Sequence, residues 1–297
     1  MAHPRRALGR GAELLTKLFA KRMVSFFRTY ADDATSLQRP LDAAVVIPTV
    51  LRPTLVRAVQ SVFAQQFDGR IQILIGVDQL GGALELLDRA CTDRPSNCFV
   101  QAVYPGYSTA ARSGGLTPAA DGGALRCVLT LLANSPCVAY LDDDNWWAPD
   151  HLQSLRNALA NAQWSFALRW FVHPVSEQPI AIDRWESVGP GAGVYNVRLG
   201  GFVDPSCLMI DKTACPDAVL AWNFPLFSED PKTADRRVFQ FLNRQYRGAG
   251  NGAATVFYRI SPSDEMHSHR LRWLGDAYDR AGESSSASRR SASPSAR

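Results

Sequence analysis

The sequence lacks several patterns that would point directly to a function. No pair of its six cysteines has Cys-x-x-Cys spacing, which argues against a zinc or redox site, and six in 297 residues are too few for a disulfide scaffold. No apolar run approaches the roughly 20 residues that span a bilayer. Both the GxGxxG dinucleotide fingerprint and the P-loop are absent. These absences favour a cytoplasmic protein that would hold a phosphate group by other means.

The net charge of +4 is unevenly distributed. Residues 1–40 contain eight basic and three acidic residues, and residues 280–297 contain four basic and one acidic. The body between them has 20 basic and 24 acidic residues and is therefore slightly negative. A nucleic-acid-binding domain would place a basic patch on its folded body, so this distribution argues against a nucleic-acid partner.

The two ends of the chain differ from the body. Between residues 11 and 30, apolar side chains recur at helical spacing among lysines and arginines. Such a basic amphipathic helix either packs on protein or makes a peripheral contact with an anionic membrane. From about Gly282 the chain is rich in Ser and Arg, which predicts disorder. We therefore expect a helix and linker over 1–40, a folded domain over 41–279 and a disordered tail over 280–297. The apolar stripe consists of Leu15, Phe19, Met23, Phe26 and Tyr30.

The body alternates predicted strands and helices. β-Branched or apolar runs predict strands, and amphipathic patterns between them predict helices. This alternation predicts an α/β fold with a mainly parallel central sheet flanked by helices. Ligands of such sheets bind beyond the carboxyl ends of the strands, where Asp78 and the run 142–144 are expected. The predicted strands are 43–47, 71–77, 99–104, 138–141 and 252–260, and the predicted helices begin near residues 53, 83, 124 and 234.

The most informative segment is the acidic run that follows the strand 138–141. Asp142, Asp143 and Asp144 repel one another unless a cation joins them. Hard divalent cations bind carboxylate oxygens and commonly share substrate phosphates. In an extended segment Asp142 and Asp144 would project to one side and Asp143 to the other. The structural alternative is a turn, or the N-cap of a helix that follows Pro149.

Three segments in this order resemble the family 2 glycosyltransferases of the GT-A fold, a Rossmann-like α/β sandwich. They are AVVIPTVLRPTLVRAVQSVFAQ, ILIGVDQ and VAYLDDDNWWAPDHL. The resemblance implies that Asp78 holds the nucleobase or ribose of a nucleotide sugar. It also implies that Asp142 and Asp144 form a DXD motif that binds the diphosphate through Mn²⁺ or Mg²⁺. The nucleotide-sugar contacts implied in addition are Pro48, Thr49, Arg52 and Asp143.

The chain departs from the family pattern at two points. Asp78 is followed by Gln79, whereas family members often have two acidic residues there. The Arg-Asn pair that commonly precedes the helix before the DXD strand is also missing. Either Arg126 or Arg112 is the remnant of that pair and would contact the diphosphate.

The second half of the chain is expected to supply the acceptor side. Asp204 is either a contact to the donor sugar or a turn residue before proline. Inverting transfer needs a base for the acceptor hydroxyl, and the resemblance places it at the start of a helix, where Asp235 precedes an apolar face. Glu229 and Asp230 are the alternative, although a proline follows them. The resemblance also implies a late histidine that completes the metal coordination, either His267 or His269, which are at strand spacing; the alternative is that both are surface histidines on a loop.

The sequence thus predicts an inverting, metal-dependent glycosyltransferase. It would move a sugar from a nucleotide-diphosphate sugar, with a UDP-sugar the expected donor, to a hydroxyl of a glycan, lipid or protein acceptor. A nucleotidyltransferase and a non-catalytic GT-A-like binding protein are the alternatives. Release of a nucleoside diphosphate, release of pyrophosphate, and binding without turnover would distinguish the three.

Overall fold

The computed structural model describes residues 25–32, 37–118, 122–223 and 234–290, with side chains to residue 283. Within these residues one ten-stranded mixed sheet forms the centre of the molecule, and a two-stranded ribbon lies apart from it. The strands are β1 (Phe26–Tyr30), β2 (Ala43–Thr49), β3 (Ile71–Val77), β4 (Cys98–Tyr104), β5 (Cys137–Tyr140), β6 (Trp146–Trp147), β7 (Trp164–Val172), β8 (Pro179–Ile182), β9 (Gly189–Pro190), β10 (Gly201–Phe202), β11 (Leu208–Asp211) and β12 (Gly248–Arg259). The helices are α1 (Leu55–Phe63), α2 (Glu85–Ala90), α3 (Gly123–Leu132), α4 (His151–Ala158), α5 (Asn196–Leu199), α6 (Pro216–Ala221), α7 (Ala234–Gln245), α8 (His267–Leu274) and α9 (Asp276–Arg290).

Four parallel strands in the order β4-β3-β2-β5 form the centre of the sheet. Every residue of β3 is buried, and so is every residue of β2 except Pro48. Continuous apolar runs of this kind are typical of parallel strands that are covered on both faces. The α/β sandwich with a mainly parallel central sheet is therefore confirmed.

The register of these strands brings their carboxyl ends to one edge. Thr49 at the end of β2 pairs with Val77 at the end of β3, and Val46 pairs with Tyr140 at the end of β5. Asp78 and the acidic run follow two of these strands directly. The sheet topology therefore places them at the same edge.

The second half of the chain extends the sheet with both orientations. β11 is antiparallel to β5 and to β7, and β12 is parallel to β7. Because β11 runs in the opposite direction, its start at Leu208 lies beside the end of β5. Because β12 is parallel to β5, its end at Arg259 lies at the same edge. The segment before β11 and the segment after β12 therefore both reach the edge of the acidic run.

Helix α1 illustrates how the helices cover the sheet. Its buried face includes Leu55, Val59 and Val62, which recur at spacings of four and three. Each such side chain contributes about 1.5–3 kcal/mol when it is fully buried. Helix α1 packs against α2 and β6, while α3 packs against β2 and β3. The core is thus continuous from the parallel centre to the helical layers.

Strand β1 corrects the predicted N-terminal helix in part. Residues 26–30 form an edge strand antiparallel to β4, in which Phe26 contacts the Tyr104 ring and Tyr30 donates a hydrogen bond to Asp88. The pattern is ambiguous because Phe26 and Tyr30 are four positions apart, and an even separation also places both side chains on one face of a strand. The rest of the predicted helix, residues 11–24, lies outside the described residues.

The C-terminal segment differs from the prediction as well. Helix α9 continues to Arg290, so the chain is helical over residues for which the Ser-rich composition predicted disorder. Among the described residues, no helix has both the length and the apolar character to cross a membrane.

Candidate active site

A cleft of about 390 Å³ opens at the edge where β2, β3, β5 and β12 end. It contains every site residue predicted from the sequence except the two histidines. The lining residues are Pro48, Thr49, Val50, Arg52, Asp78, Gln79, Arg112, Gly122, Arg126, Asp142, Asp143, Asp144, Asp204, Pro205, Asp235, Tyr258, Arg259, Ser261, Ser263 and Asp264.

The acidic run forms a turn rather than the expected extended segment. The Asn145 backbone N–H donates to the Asp142 carbonyl at 3.1 Å, and the Asn145 side chain donates to the Ser206 hydroxyl at 3.0 Å. Asp143 is 3% exposed, whereas Asp142 and Asp144 are half-buried in the cleft. Asp142 and Asp144 both line the cleft, but Asp143 is not on the opposite side as the extended segment predicted, because it lines the cleft too and shares Arg52 with Asp144.

Two arginines hold the acidic run in place. Arg52 donates from Nη1 to Asp143 at 2.9 Å and to Asp144 at 3.3 Å. The buried Arg126 on α3 donates to Asp142. Arg112 also lines the cleft but is exposed. Of the two arginines considered for the diphosphate, Arg126 contacts the acidic run directly.

The carboxylates of the run still carry more negative charge than these arginines offset. Loss of solvent raises the pKa of Asp144 to about 7, and the charges of Asp142 and Asp143 add to the effect against Arg52. Burial also raises the pKa of Asp143, opposed by Arg52 and by the Thr49 hydroxyl. A divalent cation would relieve this repulsion, and carboxylate oxygens are the donors that Mn²⁺ and Mg²⁺ prefer.

The metal ligands predicted from the sequence are only partly brought together. His267 and His269 lie on helix α8 rather than on a strand, so their spacing of two places them on different sides of it. His267 contacts the Tyr278 ring, His269 is exposed, and neither lines the cleft. The described residues contain no group of three or more His, Cys, Asp or Glu that could hold a metal. A divalent ion in this cleft would therefore need substrate phosphates as ligands in addition to the carboxylates.

The Asp78 carboxylate accepts several hydrogen bonds from the protein itself. It accepts bonds from the Ser108 hydroxyl at 2.6 Å, the Thr109 hydroxyl at 2.6 Å and the Thr109 backbone N–H at 2.8 Å. The residue after it, Gln79, donates weakly to Ser108 at 3.4 Å. Asp78 therefore fixes the loop that follows β4, in addition to bordering the cleft.

Asp235 lies in the first turn of α7 and lines the cleft. One of its carboxylate oxygens accepts the Arg236 backbone N–H at 2.8 Å, which is favourable at a helix N-terminus. Arg236 in turn donates to the Tyr195 hydroxyl at 2.9 Å. The alternative pair, Glu229 and Asp230, lies outside the described residues.

Asp204 rests on a buried charge cluster that the sequence did not reveal. Oδ1 of Asp204 accepts the Ser206 backbone N–H at 2.9 Å, and Oδ2 accepts Arg169 Nη1 at 2.6 Å. Arg169 is fully buried and also donates to Asp183 and Glu186. Burial raises the pKa of Asp204 to about 6, against the lowering effect of Arg169.

A signal for this cluster was present in strand β7. Its burial alternates, with Ala167, Arg169 and Phe171 facing inward. An arginine in phase with inward-facing apolar residues must have buried carboxylate partners, because an unpaired charge is too costly there.

No protein-family model and no curated protein matches the chain. Solved structures share its fold at low sequence identity. TarS from S. aureus is 14% identical with a TM-score of 0.51, over 78% of this chain and 39% of TarS. The TarS 1–349 fragment in complex with UDP matches at 14% identity and a TM-score of 0.51, over 80% of this chain and 71% of the fragment. This chain thus spans well under half of the whole TarS structure.

The mannosyltransferase PcManGT from Pyrobaculum calidifontis, in complex with GDP-Man and Mn²⁺, has a similar fold. It is 14% identical with a TM-score of 0.52, over 90% of this chain and 70% of PcManGT. The chain therefore has a glycosyltransferase fold, with a carboxylate-rich cleft at the carboxyl edge of its sheet.

Proposed function

We propose that this protein is an inverting, metal-dependent glycosyltransferase of the family 2 type, with residues 41–279 as the transferase domain. The observation that carries the proposal is the cleft itself. It brings the acidic run, the two arginines that contact this run, Asp78 and Asp235 together from segments far apart in the chain.

The donor is proposed to be a nucleotide-diphosphate sugar. Asp78 and the loop that it holds would contact the nucleobase or ribose, beside Pro48 and Thr49. Arg52 and Arg126 would offset the negative charge of the diphosphate. Structural neighbours bind UDP, UDP-GlcNAc and GDP-Man, which supports this donor class. We expect a UDP-sugar.

Asp144 and Asp142 would hold Mn²⁺ or Mg²⁺ together with phosphate oxygens. The bound cation would neutralise negative charge on the leaving diphosphate. The raised pKa of Asp144 supports this assignment, because such crowding is relieved by a cation. Mn²⁺ accompanies GDP-Man in the PcManGT complex.

Asp235 is proposed as the general base. It would accept the proton of the acceptor hydroxyl at its carboxylate as that oxygen bonds to the anomeric carbon and the bond to the diphosphate breaks. Attack from the face opposite the leaving group inverts the anomeric centre through an oxocarbenium-like transition state. Asp204 would accept a hydrogen bond from the transferred sugar.

The acceptor is proposed to be a hydroxyl group of a glycan, a lipid or a protein. The transfer is proposed to take place in the cytoplasm. The basic segment that precedes strand β1 is the proposed point of peripheral membrane contact, because it combines apolar and basic residues at helical spacing.

The test is a donor screen with the full-length protein. Each nucleotide sugar is incubated with Mn²⁺ or Mg²⁺, and the released products are separated. Release of a nucleoside diphosphate and free or transferred sugar supports the proposal. Release of pyrophosphate would assign a nucleotidyltransferase instead, and tight UDP binding with no turnover of any donor would assign a binding protein.

A further inference from the structure

A buried chain of ion pairs connects two carboxylates of the cleft. Arg169 binds Asp204, as described above, and its Nη2 donates to Glu186 Oε2 at 2.8 Å. Arg270 on helix α8 donates from Nε to the same Oε2 at 2.7 Å and from Nη2 to Oε1 at 2.9 Å. Arg270 Nη1 then donates to Asp264 at 2.7 Å.

Glu186 is the link on which this chain depends. It is 3% exposed, and one of its oxygens accepts from both arginines. Its backbone N–H donates to Asp183 Oδ1 at 2.7 Å, so its main chain is fixed as well. Among the described residues it is the one carboxylate that both arginines contact, although both guanidinium groups also lie over the Tyr258 ring, at 3.9 Å for Arg169 and 5.0 Å for Arg270.

The two carboxylates at the ends of this ion-pair chain reach the cleft from different segments of the second half of the sequence. Asp204 precedes β11, and Asp264 follows β12; both line the cleft. Asp264 is held by three donors, since it accepts from Arg270, from the Tyr258 hydroxyl at 3.1 Å and from the Met266 backbone N–H at 2.8 Å. An aligned carboxylate with a spare lone pair is a good acceptor for a substrate hydroxyl.

The stability of the fold does not by itself explain why so many charged groups are buried together. The connected groups are two arginines and four carboxylates, the fourth being Asp183. Buried ion pairs lose about as much in desolvation as they gain in attraction, so stability is a weak reason for keeping them. Preorganised polar groups, by contrast, need no rearrangement during the reaction.

We infer that Glu186 is a positioning residue that fixes the placement of Asp204 relative to Asp264, and that these two carboxylates accept hydroxyl groups of a polyhydroxylated substrate in the cleft. The first half of this inference stands on the ion-pair chain itself, whereas the second half rests on the proposed function. Arg169 and Arg270 transmit the placement and do not contact substrate.

The first test measures backbone hydrogen exchange in full-length Glu186→Gln, which keeps the shape of the side chain and removes its charge. We expect the Ser206 and Met266 amides, which donate to Asp204 and Asp264, both to exchange at least about tenfold faster. Amides of β2 should be unchanged, which shows that the variant is folded. The matched control is Glu177→Gln, because Glu177 is exposed and pairs with Arg57. Acceleration at only one of the two amides, or at neither, would overturn the inference.

Arg270→Lys provides a second variant if Glu186→Gln does not fold. It keeps the positive charge but lacks the two-pronged contact with Glu186. We expect the same two amides to exchange faster, and an effect confined to Met266 would contradict the link through Glu186.

The second test measures turnover of a donor identified in the screen. In Glu186→Gln we expect kcat to fall about tenfold or more while the donor KM changes less than about threefold, because the nucleotide contacts are not part of the ion-pair chain. Wild-type values of both kcat and KM in Glu186→Gln would remove the substrate role of the two carboxylates. If the wild-type protein turns over no donor, the proposed function and the substrate role both fail, whereas the exchange test still decides the role of Glu186 in placement.

Discussion

The hydroxyl of Thr49 donates a hydrogen bond to Asp143 Oδ2 at 2.6 Å across 94 positions of sequence. The same hydroxyl oxygen accepts the Leu51 backbone N–H at 2.8 Å, and Leu51 has a φ of 61°. One buried hydroxyl therefore holds both the turn after β2 and the middle carboxylate of the acidic run. The end of the first parallel strand and the acidic run form a single structural unit.

Replacement of this hydroxyl should destabilise the protein. We expect Thr49→Val to lower the free energy of unfolding by about 1–3 kcal/mol, because Asp143 and the Leu51 N–H lose a buried partner. Urea unfolding measures the change. Thr49→Ser, which keeps the hydroxyl, is the control and should stay close to wild type. Equal stability of the valine and serine variants would contradict the structural role of this bond.

Asp144→Asn should remove metal-dependent turnover. We expect the rate of nucleoside diphosphate release to fall at least about 100-fold, since several kcal/mol of transition-state stabilisation would be lost with the cation. The control is Asp150→Asn, an exposed carboxylate shortly after the run. Wild-type activity of Asp144→Asn would exclude this residue as a metal ligand.

Asp235→Asn should separate chemistry from donor binding. Loss of a general base lowers the rate by about 10²–10⁴-fold, whereas nucleotide affinity measured by calorimetry should be unchanged. Asp217 occupies the same first-turn position in α6, so Asp217→Asn is the matched control for a helix-start carboxylate. If both variants lose activity equally, a general base role for Asp235 is not supported.

The raised pKa of Asp144 predicts a pH dependence of stability. The folded protein keeps this proton up to about pH 7, whereas the unfolded chain releases it near pH 3.9. Unfolding between these values therefore releases a proton, and the contribution of Asp144 to stability falls as pH rises from about 4 to about 7. We expect urea unfolding in EDTA to show wild type losing stability relative to Asp144→Asn between pH 5 and pH 7.5. A constant difference between the two proteins would show that the pKa is not raised.

Truncation of the N-terminus should reveal the role of strand β1. Deletion of residues 1–24 keeps the pairing of Phe26–Tyr30 with β4, whereas deletion of residues 1–30 exposes the edge of β4 and removes the Phe26–Tyr104 contact. We expect a clear drop in the thermal midpoint only for the longer deletion. A similar drop for both would place the stabilising contacts upstream of the strand.

The parallel centre of the fold and most of the cleft could be predicted from the sequence. β2, β3 and β5 are short, mostly apolar segments, and the helical patterns between them indicate that they are buried strands. Because parallel strands end at one edge, the pattern of strands and helices is sufficient to place Asp78 and the acidic run together.

The parts that could not be predicted depend on long-range contacts. Phe26 and Tyr30 fit a helix and a strand equally well, and pairing with β4 decides between them. The two histidines have the spacing of a strand face, but residues 267–274 are helical. Glu186 carries no local signal, because its role depends on arginines 17 positions before it and 84 after it.

The cleft draws its lining from two separate stretches of the chain, 48–144 and 204–264. If the first stretch holds the nucleotide and its diphosphate while the second holds the transferred sugar and the acceptor, the two sets of contacts depend on separate segments of the sequence. Substitutions after residue 200 could then change the acceptor while the nucleotide contacts persist. Related proteins with this fold could then form different products while they keep the same residues for binding the nucleotide.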